Sequence, residues 1–129
     1  CLNVPAKENF EIKKCYRGRW YLTNLEKALA SPTDVCQESF SEVFENGTIS
    51  HQIYAYSEKR YPQFVVLDCK SVLSEVKDLG KVPFHCTYTR NETVVEFDML
   101  GTIVEGDYDH FALFYVCGNV GYKEFELSY

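Results

Sequence analysis

Six cysteines in a chain of 129 residues constrain this fold more than any other feature: Cys1, Cys15, Cys36, Cys69, Cys86 and Cys117. Their number is even, and no two of them have the C-x2-C spacing of a zinc site or redox motif. The expected outcome is a disulfide-stapled domain in an oxidising compartment, with connectivity left open by the sequence alone. Two acceptor tripeptides for N-glycosylation, Asn46-Gly47-Thr48 and Asn91-Glu92-Thr93, also point outside the cell. The chain does not open with a charged segment followed by an apolar one, so secretion implies a signal peptide already removed and Cys1 near the mature N-terminus.

The length suits one domain over residues 1–129, and no linker, internal repeat or low-complexity tract divides it. No apolar run is long enough for a spanning helix, so no membrane partner is expected. Thirteen Lys and Arg against nineteen Asp and Glu give a charge of −6, which repels phosphate backbones and argues against nucleic acid. Ten Tyr and nine Phe, in a chain with only seven Gly and four Pro, favour β-structure with a large aromatic content.

Period-2 runs rich in β-branched and aromatic residues recur along the chain. They predict strands at Trp20–Asn24, Glu38–Glu45, Ile49–Ser57, Gln63–Cys69, Pro83–Arg90, Thr93–Met99, Thr102–Gly106, Phe111–Cys117 and Tyr122–Tyr129. Asn46-Gly47 and Arg90-Asn91 are tight-turn signals, and Tyr61-Pro62 and Asn119–Gly121 read as further connections. Ala6–Cys15 and Leu25–Ala30 each suit a turn or two of helix, while Ser71–Asp78 suits either helix or strand. So many short strands in one small domain leave a sandwich or a barrel. The single Trp, between Cys15 and Cys36, lies too near both for the immunoglobulin pattern. The expectation is therefore all-β, an eight-stranded antiparallel up-and-down β-barrel.

Gly18-Arg19-Trp20-Tyr21-Leu22, Asp34-Val35-Cys36-Gln37, and Asp107-Tyr108-Asp109-His110-Phe111-Ala112-Leu113 ending at Cys117 occur in that order. Together they resemble the triabin and nitrophorin branch of the lipocalins, salivary proteins of blood-feeding bugs. The resemblance implies that Gly18 allows close backbone approach and that Trp20 is buried at the closed end of the barrel. It implies disulfides Cys69–Cys86 and Cys1–Cys117. In such proteins the counterpart of Cys36 bonds a cysteine in a C-terminal tail, and none follows Cys117 here, so Cys15–Cys36 is the pairing left.

Some members of that branch carry haem on an axial histidine from a barrel strand. The equivalent position, aligned through Tyr54-Ala55-Tyr56 to Phe64, is Ala55, whose methyl cannot ligate iron. His51 is four residues away, about 13 Å along a strand, and His85 and His110 lie on other segments. No haem and no other cofactor is expected. Catalytic motifs are also missing: there is no Gly-x-Ser-x-Gly elbow, phosphate-cradling loop or metal-spaced cluster, so the chain reads as a binder and not an enzyme.

Alternation proposes an inward-facing ligand set of Leu22, Ile53, Ala55, Phe64, Val66, Leu100, Phe114, Val116 and Phe125, with Val95, Phe97 and Met99 as a further apolar face. His51, Tyr88 and Arg90 are polar candidates for orienting a ligand, and parity puts Tyr54, Tyr56 and Tyr115 outside. The resemblance implies a secreted monomer that sequesters a host lipid mediator, an eicosanoid such as a cysteinyl leukotriene or thromboxane, whose carboxylate meets Arg90 or Arg60. A biogenic amine scavenger is the alternative, with Glu26, Asp34, Asp107 or Asp109 supplying the charge. A third is a triabin-like inhibitor that binds a clotting protease through its acidic outer surface.

Overall fold

The computed structural model describes residues 1–24, 34–57, 63–121 and 123–128. The described residues are all-β apart from one short helix, α1 (Ile12–Cys15), and a 3-10 turn at Leu73–Glu75. The strands are β1 (Gly18–Tyr21), β2 (Asp34–Val43), β3 (Thr48–Ser57), β4 (Gln63–Val72), β5 (Lys81–Arg90), β6 (Thr93–Gly106), β7 (Ala112–Val120) and β8 (Lys123–Ser128). Each pairs antiparallel with the next, so the sheet is a meander in sequence order. Among the described residues no ladder joins β8 to β1.

Two predicted runs, Thr93–Met99 and Thr102–Gly106, form one strand, β6. Gly101 does not break it because the residue sits opposite Val82 and Val116 in continuous ladders, on the inner face beneath Tyr16 and Phe84. Of Ser71–Asp78, the first two residues extend β4 and the next three make the 3-10 turn. The predicted helix at Leu25–Ala30 lies outside the described residues. Both glycosylation tripeptides sit at turns with an exposed Asn.

The meander sends alternate turns to opposite ends. The Glu45–Gly47 turn, the 73–80 connection and the 107–111 turn share one end with α1, while Asn91–Glu92 and Gly121 lie at the other. The N-terminal segment fills the inner face at its own end: Phe10, Ile12, Cys15 and Tyr16 are buried with Ile49, Ile53, Val82, Phe84, Phe97, Met99, Ile103, Phe114 and Val116. Tyr16 is only 1% exposed and packs against Phe84, Phe114 and His51, with ring centroids 5.5, 6.2 and 5.7 Å away. This single ring occupies space that the sequence reading left to a ligand.

Two disulfides form. Cys69 and Cys86 face each other across β4 and β5, and Cys1 reaches Cys117 on β7. The expected Cys15–Cys36 bond does not form: Cys15 is a buried free thiol and Cys36 an exposed one. The register explains why. Gly18 pairs with Ser41, Cys15 lies three residues outside that pair, and Cys36 lies five residues further along β2 in the other direction. At ~3.3 Å per residue in a strand, that offset puts Cys36 about 16 Å from the level of Gly18, beyond the roughly 7 Å Cα separation that a disulfide tolerates.

Gly18 has a different role from the one the resemblance implies. Its φ is +67°, and a Cβ there would meet nothing within 4 Å. The glycine is therefore needed for the left-handed backbone turn that leads into β1, not for close packing.

Candidate functional site

A cleft of about 50 Å³ opens on the inner face between β1, β2 and β7. Trp20 and Leu22 line it from β1 and the residues just after it, Gln37, Glu38 and Ser39 from β2, His51 from β3, and Ala112 and Phe114 from β7, with Tyr21 and Thr23 completing the lining. It lies there because β1 is short and, among the described residues, has a partner only in β2. A wider groove of about 430 Å³ adjoins it, sharing Trp20, Tyr21, Thr23 and Ala112 and bounded by Arg17, Arg19 and the Tyr108–Phe111 turn.

Trp20 is half-buried, not enclosed as expected, because the free side of its edge strand faces the cleft. Its indole Nε1 donates to the carbonyl of Cys15 at 2.9 Å, fixing the ring as a wall. His51 is 4% exposed at the inner end. Its Nδ1 lies 2.6 Å from Oγ of Ser41, the residue directly opposite on β2 and itself buried. Burial pushes the imidazole down to about 4, so it is neutral at physiological pH.

Glu38 borders the cleft from the middle of β2, with its side chain on the outer face alongside Tyr54, where Arg19 donates to Oε1 at 3.3 Å. In the adjoining groove Arg17 pairs with Asp109 at 3.2 Å. Asp107 is engaged within its own turn. It accepts from the backbone N–H of His110 at 2.7 Å, of Phe111 at 3.2 Å and of Asp109 at 3.0 Å, and these bonds hold it far below the usual carboxylate range. It organises the β6–β7 turn. Glu26 and the side chain of Asp34 lie outside the described residues.

Of the predicted ligand set, the structure brings Leu22, His51 and Phe114 to the cleft. Ile53, Phe97 and Val116 are on the inner face as expected but belong to the packed core. Ala55 is half-buried two residues beyond Ile53, and Tyr88 is half-buried with its ring edge-on to Phe97. Arg90 is exposed at the end of β5 and does not line the cleft. Arg60 and the side chain of Phe125 lie outside the described residues.

Phe64, Val66 and Leu100 point outward, with 65%, 39% and 41% of their surface exposed. The Cys69–Cys86 bridge shows why. Cys69 is buried on the inner face, so Val65 and Leu67 share its side while Phe64 and Val66 take the other. Cys86 pairs with Phe97, which puts Met99 inside and Leu100 outside. Tyr54 stacks on Phe64, their centroids 6.3 Å apart, on that outer face, where parity put Tyr54. The sequence reading missed Gln37, Glu38, Ser39 and Ala112 in the cleft and Tyr16 beside it.

The profile of the Triabin family matches residues 1–127. Triafestin-2 of Triatoma infestans is 29% identical over 122 residues, and Triafestin-1 of the same species 28% over 121. Each alignment takes in 91% of this chain and 57% of the relative, so the chain spans little more than half the length of these proteins. Among solved structures, a biogenic amine-binding protein in its selenomethionine form superposes with a TM-score of 0.81 at 15% identity, over 99% of this chain and 69% of that one. The tryptamine complex of the amine-binding protein of Rhodnius prolixus gives 0.82 at 15% identity, over 99% and 68%. At such identity the likeness to the two solved structures is one of fold. The match of the family profile along almost the whole chain goes further, and this chain belongs to the Triabin family.

Proposed function

We infer that the chain is a secreted, non-enzymatic scavenger of a small aromatic amine, held in the cleft between β1, β2 and β7. The aromatic lining carries this reading: Trp20 and Phe114 face a small space bordered by the neutral polar groups of His51, Gln37 and Ser39, and its described lining includes no Lys or Arg. An ammonium group gains a cation–π contact from such a ring. The fold likeness to two amine-binding proteins supports the same ligand class.

The eicosanoid reading gives way to it. A long acyl tail needs open apolar length, whereas Tyr16 fills the inner face and Phe64, Val66 and Leu100 face out. Haem is disfavoured by Ala55 and by a cleft far smaller than the macrocycle. Catalysis is disfavoured because an imidazole held near 4, like that of His51, is a weak base at neutral pH. Exposed glycosylation tripeptides support secretion. The same reading takes residues 1–129 as one monomeric lipocalin domain, closed into an eight-stranded barrel by β8 meeting β1.

Titration calorimetry tests the proposal with tryptamine, serotonin, dopamine, a leukotriene, a thromboxane mimetic and haem. Amines are expected to bind one per chain, and Trp20→Leu to weaken them by about 0.5–2 kcal/mol, the scale of a cation–π contact. Tight leukotriene or haem binding with no heat from any amine would overturn the reading.

A further inference from the structure

Within that cleft, His51 and Ser41 form a buried polar pair that the packing of the sheet does not require. Ile49, Ile53, Phe84 and Phe114 surround them in the core, and Ser71, opposite Ile49, is a further buried hydroxyl on this face. Their positions pair directly across β2 and β3, so one short side-chain hydrogen bond fixes the ring plane. Tyr16, edge-on, and Phe84, tilted at 34° with its centroid 5.6 Å away, hold the ring from two sides. Ser41 occupies Nδ1, so the hydrogen-bonding atom that His51 has left to offer the cleft is Nε2.

We propose that the His51–Ser41 pair is the specificity element of the cleft, accepting or donating one hydrogen bond to a hydroxyl or ring N–H carried by the aromatic end of the bound amine. The inference rests on the amine reading and deepens it. A serine hydroxyl both donates and accepts, and a neutral imidazole carries one proton on either nitrogen. When Ser41 donates to Nδ1, Nε2 holds the proton and donates to a ligand oxygen. When Nδ1 donates to Ser41, Nε2 accepts from a ligand O–H or N–H. The pair therefore suits phenols, catechols and indoles, and no proton has to leave the protein.

The geometry also separates the ligand's two ends. The neutral ring takes its polar tip at the inner end, while Trp20 in the cleft wall offers its face to the ammonium group. At about 50 Å³ the inner space holds roughly four waters, which suits one aromatic ring entering tip first. A ligand that lacks the polar tip leaves Nε2 without a partner at the buried inner end, and sites built this way reject such analogues.

Amine pairs that differ in one group test the idea: tyramine against β-phenethylamine, and tryptamine against 1-methyltryptamine, titrated into wild type, His51→Phe and Ser41→Ala. Wild type is expected to prefer the donor-bearing member of each pair by about tenfold or more. His51→Phe should bring both ratios near one. Ser41→Ala, a milder change to packing, should shrink the ratios partway. In wild type the imidazole NMR signals of His51 should move with tyramine and much less with β-phenethylamine. Equal affinities within each pair in wild type, or ratios that neither variant alters, overturn the proposal while leaving the amine reading intact. No binding of any of the four amines to wild type overturns both.

Discussion

Acid should destabilise this protein well above the range in which carboxylates titrate, and His51 is the reason. Buried beside Tyr16 and Phe84, the imidazole takes a proton only near pH 4, against 6.5 for an unhindered histidine. The unfolded chain therefore binds this proton first. Stability from His51 is fully present above pH 6.5, is lost as the pH falls, and is gone once the folded ring itself protonates near 4. The gap of about 2.5 units, at roughly 1.4 kcal/mol per unit, amounts to about 3 kcal/mol. About 1 kcal/mol of this should be lost by pH 5.5. Against the 5–15 kcal/mol typical of a domain, that is a large share.

The assay is urea unfolding with disulfides intact at several pH values from 7.5 to 4.5, for wild type and His51→Gln. The variant shifts the whole curve by whatever the Ser41 contact and packing are worth, so only the difference in slope is diagnostic. Glu105, held low mainly by the Lys7 ammonium, and Asp107, held low by backbone N–H groups, are common to both proteins. His85 runs the other way: its bond to Asp98 raises it, so its contribution is present below pH 6.5 and fades as pH rises through the folded value. It too is common to both. Parallel curves for the two proteins would refute the burial argument for His51.

Two further outcomes follow from the packing. Alkylation of the native, unreduced protein should label Cys36 alone, because Cys15 is enclosed and its thiol is pushed up to about 12 by burial, with a second adduct appearing only in denaturant; two adducts in the native state, or none, would contradict this. Phe84→Ala, at a site that packs both Tyr16 and His51, should lower unfolding free energy by about 3–5 kcal/mol, whereas a loss under 1 kcal/mol would mean that this part of the core is not packed as described.

Strand order was legible because each strand carries its own alternation and each turn its own punctuation, and neither depends on distant residues. The motif around Gly18 and Trp20 was legible for the same reason. The face of each strand was harder to read. On β4, Phe64, Val65, Val66 and Leu67 are all apolar, so alternation cannot say which pair faces in, and the register is decided elsewhere, by Cys69 opposite Cys86. That disulfide was an expectation of the resemblance, and applied first it sets the parity of β4, β5 and β6 together.

Tyr16 and Glu38 illustrate a different limit. Tyr16 stands among Lys13, Lys14 and Arg17, a stretch whose polarity hides the residues that α1 turns inward, Ile12 and Cys15. Local periodicity cannot show that such a segment folds back across the inner face of the sheet. Glu38 lies mid-strand, opposite Tyr21 and Tyr54, where an acid reads as an ordinary solvent-facing position. It borders the cleft through its place between Gln37 and Ser39, while its carboxylate stays on the outer face with Arg19. In this fold the space for a ligand is set by two things, how far α1 and Tyr16 reach into the curl and where β1 stops. Both are properties of chain path, and a substitution that moves Tyr16 should therefore reshape the cleft more than any change among the apolar residues read from alternation.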